Sequence, residues 1–482
     1  MTLHPLIEPG WVNAILPELI LTGGGILLML VAAFAPRLRQ ATAPLALIVF
    51  IAAAWSENLV RAGRFFGGTY EVSGITRIFD ITFLLAAMLA TLFAREYLER
   101  ENIESGEFYA LLMWATVGMM MMAKGLDLLI VILGLELLSI CIFVLVGYHR
   151  RIPISNEASL KYFLMGAFAT GFILYGTALF YGSTRSTNFA EMSRVFATAN
   201  PSDPMLTIAF VLLMSGFGFK LAVAPFHGWA PDVYQGAPTP VAGWLSVAPK
   251  AATLIAVIRL LAAMSPLLQH AVWLKMIAAL SILSMVIGNA VAIAQRDLKR
   301  MLAYSGIAHA GYILLGVLPG TTRGFTATLF YIAAYAVMNF GAFAVVTAVG
   351  AGGEQTAELS YWRGLFYRRP FLATVMTIFM LSLAGIPPTV GFFAKLFVFQ
   401  ALVTAQIWAP LVVAVIMTVV SFYYYLRVIV VMLAQPDGAV AEKHIGFSTS
   451  TVLGAAAVAT IFFGLFPSVV LDWAGHAASL HF

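Results

Sequence analysis

Cysteine is almost missing: the 482-residue chain has one, Cys141, set in an apolar run. One cysteine excludes an internal disulfide, and it excludes cysteine-built zinc and iron–sulfur sites. Charge is scarce as well. Asp, Glu, Lys and Arg make up 10% of the residues against 61% hydrophobic ones, at a mean hydropathy of +0.93. Soluble domains carry about 25% charged residues. A soluble chain of this length could not cover its surface, so lipid must be the solvent for most of it. No GxxxxGK[ST] phosphate loop is present, and the longest polar stretches, Thr184–Pro204 and Gly350–Arg369, are loop-sized. Met1–Glu18 holds no Lys or Arg, so the basic start of a cleaved signal peptide is missing and the first apolar run is expected to be retained.

What is present is a series of apolar runs. A spanning helix needs about 20 mostly apolar residues. Fourteen runs qualify: Ile15–Phe34, Ala43–Val60, Ile78–Phe93, Phe108–Met122, Leu126–Tyr148, Ala158–Tyr181, Met205–His227, Pro240–Met264, Val272–Ala294, Met301–Leu318, Thr326–Val349, Phe371–Phe399, Trp408–Leu433 and Thr451–Val470. The expected fold class is therefore an all-α polytopic membrane protein. The Gly23-Gly24-Gly25 run in the first span reads as close helix packing.

The net charge of +5 does not point to nucleic acid, because the basic residues sit in short loops. Odd-numbered loops hold Arg37, Arg39, Arg95, Arg100, Arg150, Arg151, Arg296, Lys299, Arg300, Arg363, Arg368, Arg369 and Lys443. Even-numbered loops hold fewer, among them Arg61, Arg64, Lys124, Arg185, Arg194 and Arg323. Odd loops are thus expected on the cytoplasmic side, and both termini outside.

Two spans are interrupted. In the seventh, Phe219-Lys220-Leu221-Ala222-Val223-Ala224-Pro225-Phe226-His227 carries a lysine, a proline and a histidine. In the twelfth, Ala384-Gly385-Ile386-Pro387-Pro388-Thr389-Val390-Gly391 precedes Lys395. Proline removes a backbone hydrogen bond and clashes with the preceding turn, so each helix is expected to break. Matching breaks in two halves point to an ion-handling site. The breaks lie five helices apart, and an odd repeat inverts the second unit. The expected division is residues 1–105 (three helices), 106–265 (first repeat, helices 4–8), 266–435 (second, inverted repeat, helices 9–13) and 436–482 (helix 14).

A charge at the centre of a spanning helix costs about 2.5–3.5 kcal/mol on insertion scales. Glu136, Lys220, Lys250 and Lys395 are placed there, with His309 in the tenth span. Free lysine titrates at about 10.4, too high for ready release of a proton near neutrality. Burial and a movable carboxylate act on it in opposite directions, which makes a buried lysine–carboxylate pair a switchable carrier. Glu136 with Lys220 is the candidate pair. Glu157 and Lys161 are spaced as a helical ion pair. Asp232 reads as a loop or cap residue, and Asp297, Lys299 and Arg300 as mainly a topology signal.

The stretch from Phe219-Lys220 through Ala224-Pro225-Phe226-His227-Gly228-Trp229-Ala230-Pro231-Asp232-Val233-Tyr234-Gln235-Gly236-Ala237-Pro238-Thr239-Pro240 resembles the seventh-helix signature of antiporter-like proton-translocating subunits. Ser246-Val247-Ala248-Pro249-Lys250-Ala251-Ala252 follows it. Together with Glu157–Phe163, Arg296–Ser305 (which includes Tyr304), His309–Tyr312 and Ala384–Thr389, these motifs resemble the subunit N family of NADH–quinone oxidoreductase, respiratory complex I, over essentially the whole chain.

The resemblance implies about 14 helices, two inverted five-helix repeats and broken helices 7 and 12. His309 is the fifth candidate relay residue, with Glu157, Lys161, His227, Asp232 and Tyr304 as supporting candidates; the resemblance itself implies that Glu136 on helix 5 modulates Lys220 on helix 7, with Lys250 on helix 8 and Lys395 on helix 12 continuing the relay. It implies proton translocation coupled to electron transfer from NADH to quinone. No cofactor is expected in this chain; flavin and iron–sulfur clusters would sit on partner subunits. The partners would be other membrane and peripheral subunits, neighbouring antiporter-like ones among them, in a bacterial plasma (inner) membrane with periplasmic termini. The chain stops after its fourteenth span, which argues against the larger paralogue with a lateral helix. A sodium/proton antiporter subunit, a hydrogenase-type membrane subunit and a purely structural scaffold are the alternatives.

Overall fold

The computed structural model of the chain describes residues 10–103, 106–268, 271–350, 357–435 and 447–479. Lys443, counted above as a loop charge, lies outside them. In chain order the main elements are α1 (Leu16–Phe34), α2 (Thr42–Ser56), β1 (Gly63–Phe65), β2 (Tyr70–Val72), α3 (Gly74–Glu101), α4 (Gly106–Lys124), α5 (Leu128–Val146), α6 (Pro153–Thr184) and α7 (Pro204–Leu221). Then come α8 (Ala230–Gly236), α9 (Thr239–Leu245), α10 (Ala248–Ala263), α11 (Ala271–Ala294), α12 (Leu298–Val317) and α13 (Thr322–Val349). The last are α14 (Pro370–Ala384), α15 (Val390–Thr404), α16 (Trp408–Leu433), α17 (Phe447–Leu465) and α18 (Ser468–Ser479).

Every apolar run has a helical counterpart. Among the described residues eleven helices are long and apolar enough to cross a membrane, or twelve if the last pair, bent by 79°, is one span. The twelfth run is two shorter helices, α14 and α15, as its prolines predict. The tenth, α12, is too polar to count by composition. Its burial explains why: it is enclosed almost all round, so its side chains meet protein rather than lipid. By contrast α6 buries one narrow stripe, Ser155, Ala158, Tyr162, Gly166, Ala169 and Ile173, and leaves Phe168 74% exposed. A 3–4-residue stripe is one helix face, and the opposite face is apolar enough for lipid.

The chain forms two compact units. One is Met1–Lys220 with Ala248–His270; the other is Leu221–Val247 with Ala271–Phe482. Small residues set the helix approaches within each. Of the three glycines in α1, a Cβ on Gly24 would strike Val49 and one on Gly25 would lie 2.5 Å from the Trp114 indole, whereas Gly23 has open space. In the first unit Gly118 and Gly134 bring α4 and α5 together, a Cβ on either meeting the other's carbonyl oxygen at 2.5 and 2.6 Å. In the second, Gly288 and Gly311 do the same for α11 and α12, at 2.6 and 2.7 Å from facing backbone atoms.

The breaks fall where proline placed them. Helix α7 stops at Leu221, Ala222 takes a φ of 57°, and residues 223–229 are non-helical before α8. Helix α14 stops at Ala384, and Gly385, at φ 89°, caps it with its N–H on the Leu381 and Ser382 carbonyls. A short hairpin, β1 against β2, was not expected. It is turned by Phe66-Gly67-Gly68, all at positive φ, with Gly63 opposite Val72.

Candidate functional site

Lys220 is the last but one residue of α7 and is 8% exposed. Its Nζ donates to Ser139 Oγ on α5 at 2.6 Å. The Phe143, Tyr162 and Phe219 rings lie 5.3, 5.8 and 5.7 Å from it, within cation–π range. Glu136, the expected partner, accepts instead from Thr170 Oγ1 on α6 at 2.7 Å. Glu136 and Ser139 are one helical turn apart and so share a face of α5. The lysine is therefore held by a neutral hydroxyl beside the carboxylate, and no ion pair locks the two charges together among the described residues. Lys250, in the first turn of α10, is also 8% exposed.

The second unit also buries a lysine, held by different groups. Lys395 on α15 is 4% exposed, donates to the Ala384 carbonyl at 2.8 Å, and lies 5.2 Å from the Tyr312 ring on α12. Tyr312 follows His309 by three residues, as Ser139 follows Glu136. His309 is 2% exposed; its Nδ1 lies 2.7 Å from Tyr331 Oη on α13, and its Nε2 lies 3.1 Å from Tyr425 Oη on α16. Tyr425 also hydrogen-bonds Ser305, and Tyr424 donates to Asn289 Oδ1 at 2.9 Å. Both imidazole nitrogens thus face groups that can donate or accept, so a proton can be passed across the ring by exchange of tautomers.

The other sequence-chosen residues fall in different places. Glu157 and Lys161 pair at 2.6 Å on the outer side of α6, 62% and 45% exposed, as their spacing predicts. His227 lies in the break after α7, half-buried, with no hydrogen-bond partner on Nδ1. Asp232, read as a loop or cap residue, lies in the first turn of α8 and pairs with Arg300 Nη1 at 2.7 Å. That guanidinium also donates to Gln235 Oε1 at 2.9 Å, and Lys299 Nζ donates to the Ala237 carbonyl at 2.9 Å. Asp297, Lys299 and Arg300, read as a topology signal, therefore tie α8 to the start of α12. Asp297 caps α12 by accepting from the Arg300 amide at 2.8 Å. Burial pushes its carboxyl above the ordinary range, against the pull of the Arg300 and Lys299 amides and charges. Tyr304 is half-buried on α12, and its neighbour Ser305 is the residue that joins the histidine network.

Lys124 departs furthest from expectation. Counted above as a loop charge, it ends α4 fully buried, its Nζ 2.8 Å from Glu18 and 2.6 Å from Asp80. Sequence reasoning also missed Ser139, Thr170, Ser305, Tyr331 and Tyr425. These are hydroxyls in apolar helices, where a serine or threonine ordinarily bonds its own helix's i−4 carbonyl and carries no outward signal.

Comparison with known proteins gives consistent results. A family described as NADH:quinone oxidoreductase/Mrp antiporter, TM, matches residues 125–421. The NADH-quinone oxidoreductase subunit N of Trichlorobacter lovleyi is 43% identical over 97% of both chains. Among solved structures, a chain of respiratory complex I from Thermus thermophilus is 35% identical with a TM-score of 0.79, covering 95% of this chain and 98% of that one. A chain of the Mrp complex of a Dietzia species has a TM-score of 0.83 at 20% identity, covering 98% of this chain and 97% of that one, which is a likeness of fold.

Proposed function

The chain belongs to the NADH:quinone oxidoreductase/Mrp antiporter family of membrane subunits, and from that premise we propose that it translocates protons as a membrane subunit of an NADH–quinone oxidoreductase. Electron transfer from NADH to quinone takes place on other subunits, which carry the flavin and iron–sulfur clusters. This chain contributes Glu136, Lys220, Lys250, His309 and Lys395 as proton carriers, and acts as a translocase without redox chemistry of its own. Glu157, Lys161, His227, Asp232 and Tyr304 support them. The chain lies in a bacterial plasma membrane with its termini on the periplasmic side. The division into residues 1–105, 106–265, 266–435 and 436–482 belongs to the same reading. Its support is the equivalence of the two glycine approaches and of the two lysine contacts, each five spans apart.

The observation that carries the reading is the buried Lys220 ammonium resting on Ser139 rather than on a carboxylate. A purely structural charge is held by an opposite one, because an unpaired buried charge is costly. An ammonium resting on a hydroxyl is free to give up its proton. The named relatives at about 40% identity favour an NADH–quinone oxidoreductase over a sodium/proton antiporter, to which the likeness is one of fold.

Lys220→Ala in the assembled complex is expected to lower both proton pumping and quinone reduction while flavin content and subunit composition stay normal. Wild-type rates for both would sink the relay assignment. Purification of the tagged native chain without co-purifying flavin or iron would sink the complex I assignment.

A further inference from the structure

The N-terminal helices contain a second buried charge cluster that uses none of the proposed relay residues. Lys124 Nζ lies 2.6 Å from Asp80 Oδ2, 2.8 Å from Glu18 Oε1 and 3.5 Å from Glu57 Oε1. All four side chains are at most 7% exposed, and Lys124 and Asp80 are fully buried. Tyr70 of β2 donates to Glu18 Oε1 at 2.6 Å. The other charged groups nearby are engaged elsewhere. Arg259 on α10 pairs with Glu71 at 3.2 Å and donates to the Gly125 carbonyl at 3.0 Å, and Arg77 on α3 donates to the Val60 carbonyl.

Three carboxylates against one ammonium leave two negative charges in excess. In a buried site such an excess is not tolerated; carboxylates crowded together take up a proton instead. Two details identify what neutralises this one. Both oxygens of Glu57 lack a hydrogen-bond partner, as do Glu18 Oε2 and Asp80 Oδ1, so acceptors await a hydrogen. The position a metal ion would take among the three carboxylates is already filled by the Lys124 ammonium, and among the described residues no group of three such ligands is arranged to hold a metal.

We propose that Glu18, Glu57, Asp80 and Lys124 form a proton-holding site, with Glu57 as its point of exchange. The site keeps at least one proton at neutral pH, shared between carboxyl groups that Lys124 draws together. Glu57 is suited to exchange because it follows the last residue of α2 and is succeeded at once by the exposed Asn58. It is also the carboxylate farthest from the ammonium.

The test is made on the intact complex. A hydrophobic carbodiimide modifies protonated carboxyl groups, and mass spectrometry of the digested chain locates the adduct. The wild type is expected to be labelled at Glu57, and the labelling is expected to be indifferent to sodium. Infrared difference spectra of wild type against Glu57→Gln and against Asp80→Asn should show a protonated-acid carbonyl band that shifts in D2O. Absence of both the label and the band would overturn the proposal. So would a label suppressed by sodium at constant pH, which would make the site a cation site. Both readouts report proton occupancy rather than turnover, so loss of the pumping assignment would leave them unchanged.

Discussion

At the scale of the residue, the ionisable groups were legible in the sequence and their partners were not. A lysine in an apolar run announces itself by its insertion cost. Ser139, in Leu137-Leu138-Ser139-Ile140-Cys141, announces nothing, yet it is what Lys220 touches. Hydrogen bonds to charged groups contribute about 1.5–3 kcal/mol. Ser139→Ala is therefore expected to lower pumping roughly tenfold with the complex still assembled, and Ser139→Thr to restore most of it; vesicle acidification at fixed NADH would read both. The histidine network offers a sharper contrast. Tyr425→Phe removes the hydroxyl shared by Ser305 and His309 and is expected to slow pumping severalfold. Tyr175→Phe, at a 61% exposed side chain on α6, is expected to leave the rate unchanged. Equal effects from the two would detach Tyr425 from the relay.

At the scale of the element, proline made the two broken helices readable in advance, because its chemistry is local. The hairpin over residues 63–72, the pause at Ser246-Val247 and the bend between α17 and α18 were hidden in a search for long apolar runs. Glycine packing was half legible: the triplet in α1 was read as a contact, but only Gly24 and Gly25 make one. Gly391→Ala would drive a Cβ into the Ser382 carbonyl oxygen between α14 and α15. Overpacking a tight contact costs about 1–3 kcal/mol or more, so a lower melting temperature and poor assembly of the complex are expected. Gly23→Ala meets nothing within 4 Å and should match the wild type in a thermal scan.

At the scale of the whole molecule, composition alone gave the solvent, and the loop charges gave an orientation. One of those charges, Lys124, turned out to be interior, and others, Lys299 and Arg300, hold helices together; the bias toward odd loops survives without Lys124. Orientation can be read with introduced thiols, since the native Cys141 is 3% exposed. Arg185→Cys is expected to react with an impermeant maleimide on intact cells, and Arg150→Cys, at an 81% exposed side chain, only after lysis. The reverse pattern would invert the topology.

The exchange of chain between the two units also governs how the protein can be made. Residues 221–247 leave the first unit for the second, and 248–270 return. As the polypeptide emerges from the ribosome, the first unit stays incomplete until its helix Ala248–Ala263 has been inserted. The segment carrying Asp232 must then wait for Arg300, nearly seventy residues later in translation. No single cut of the gene separates the two units: a cut after residue 270 leaves 221–247 on the first fragment, and a cut after residue 220 leaves 248–270 on the second.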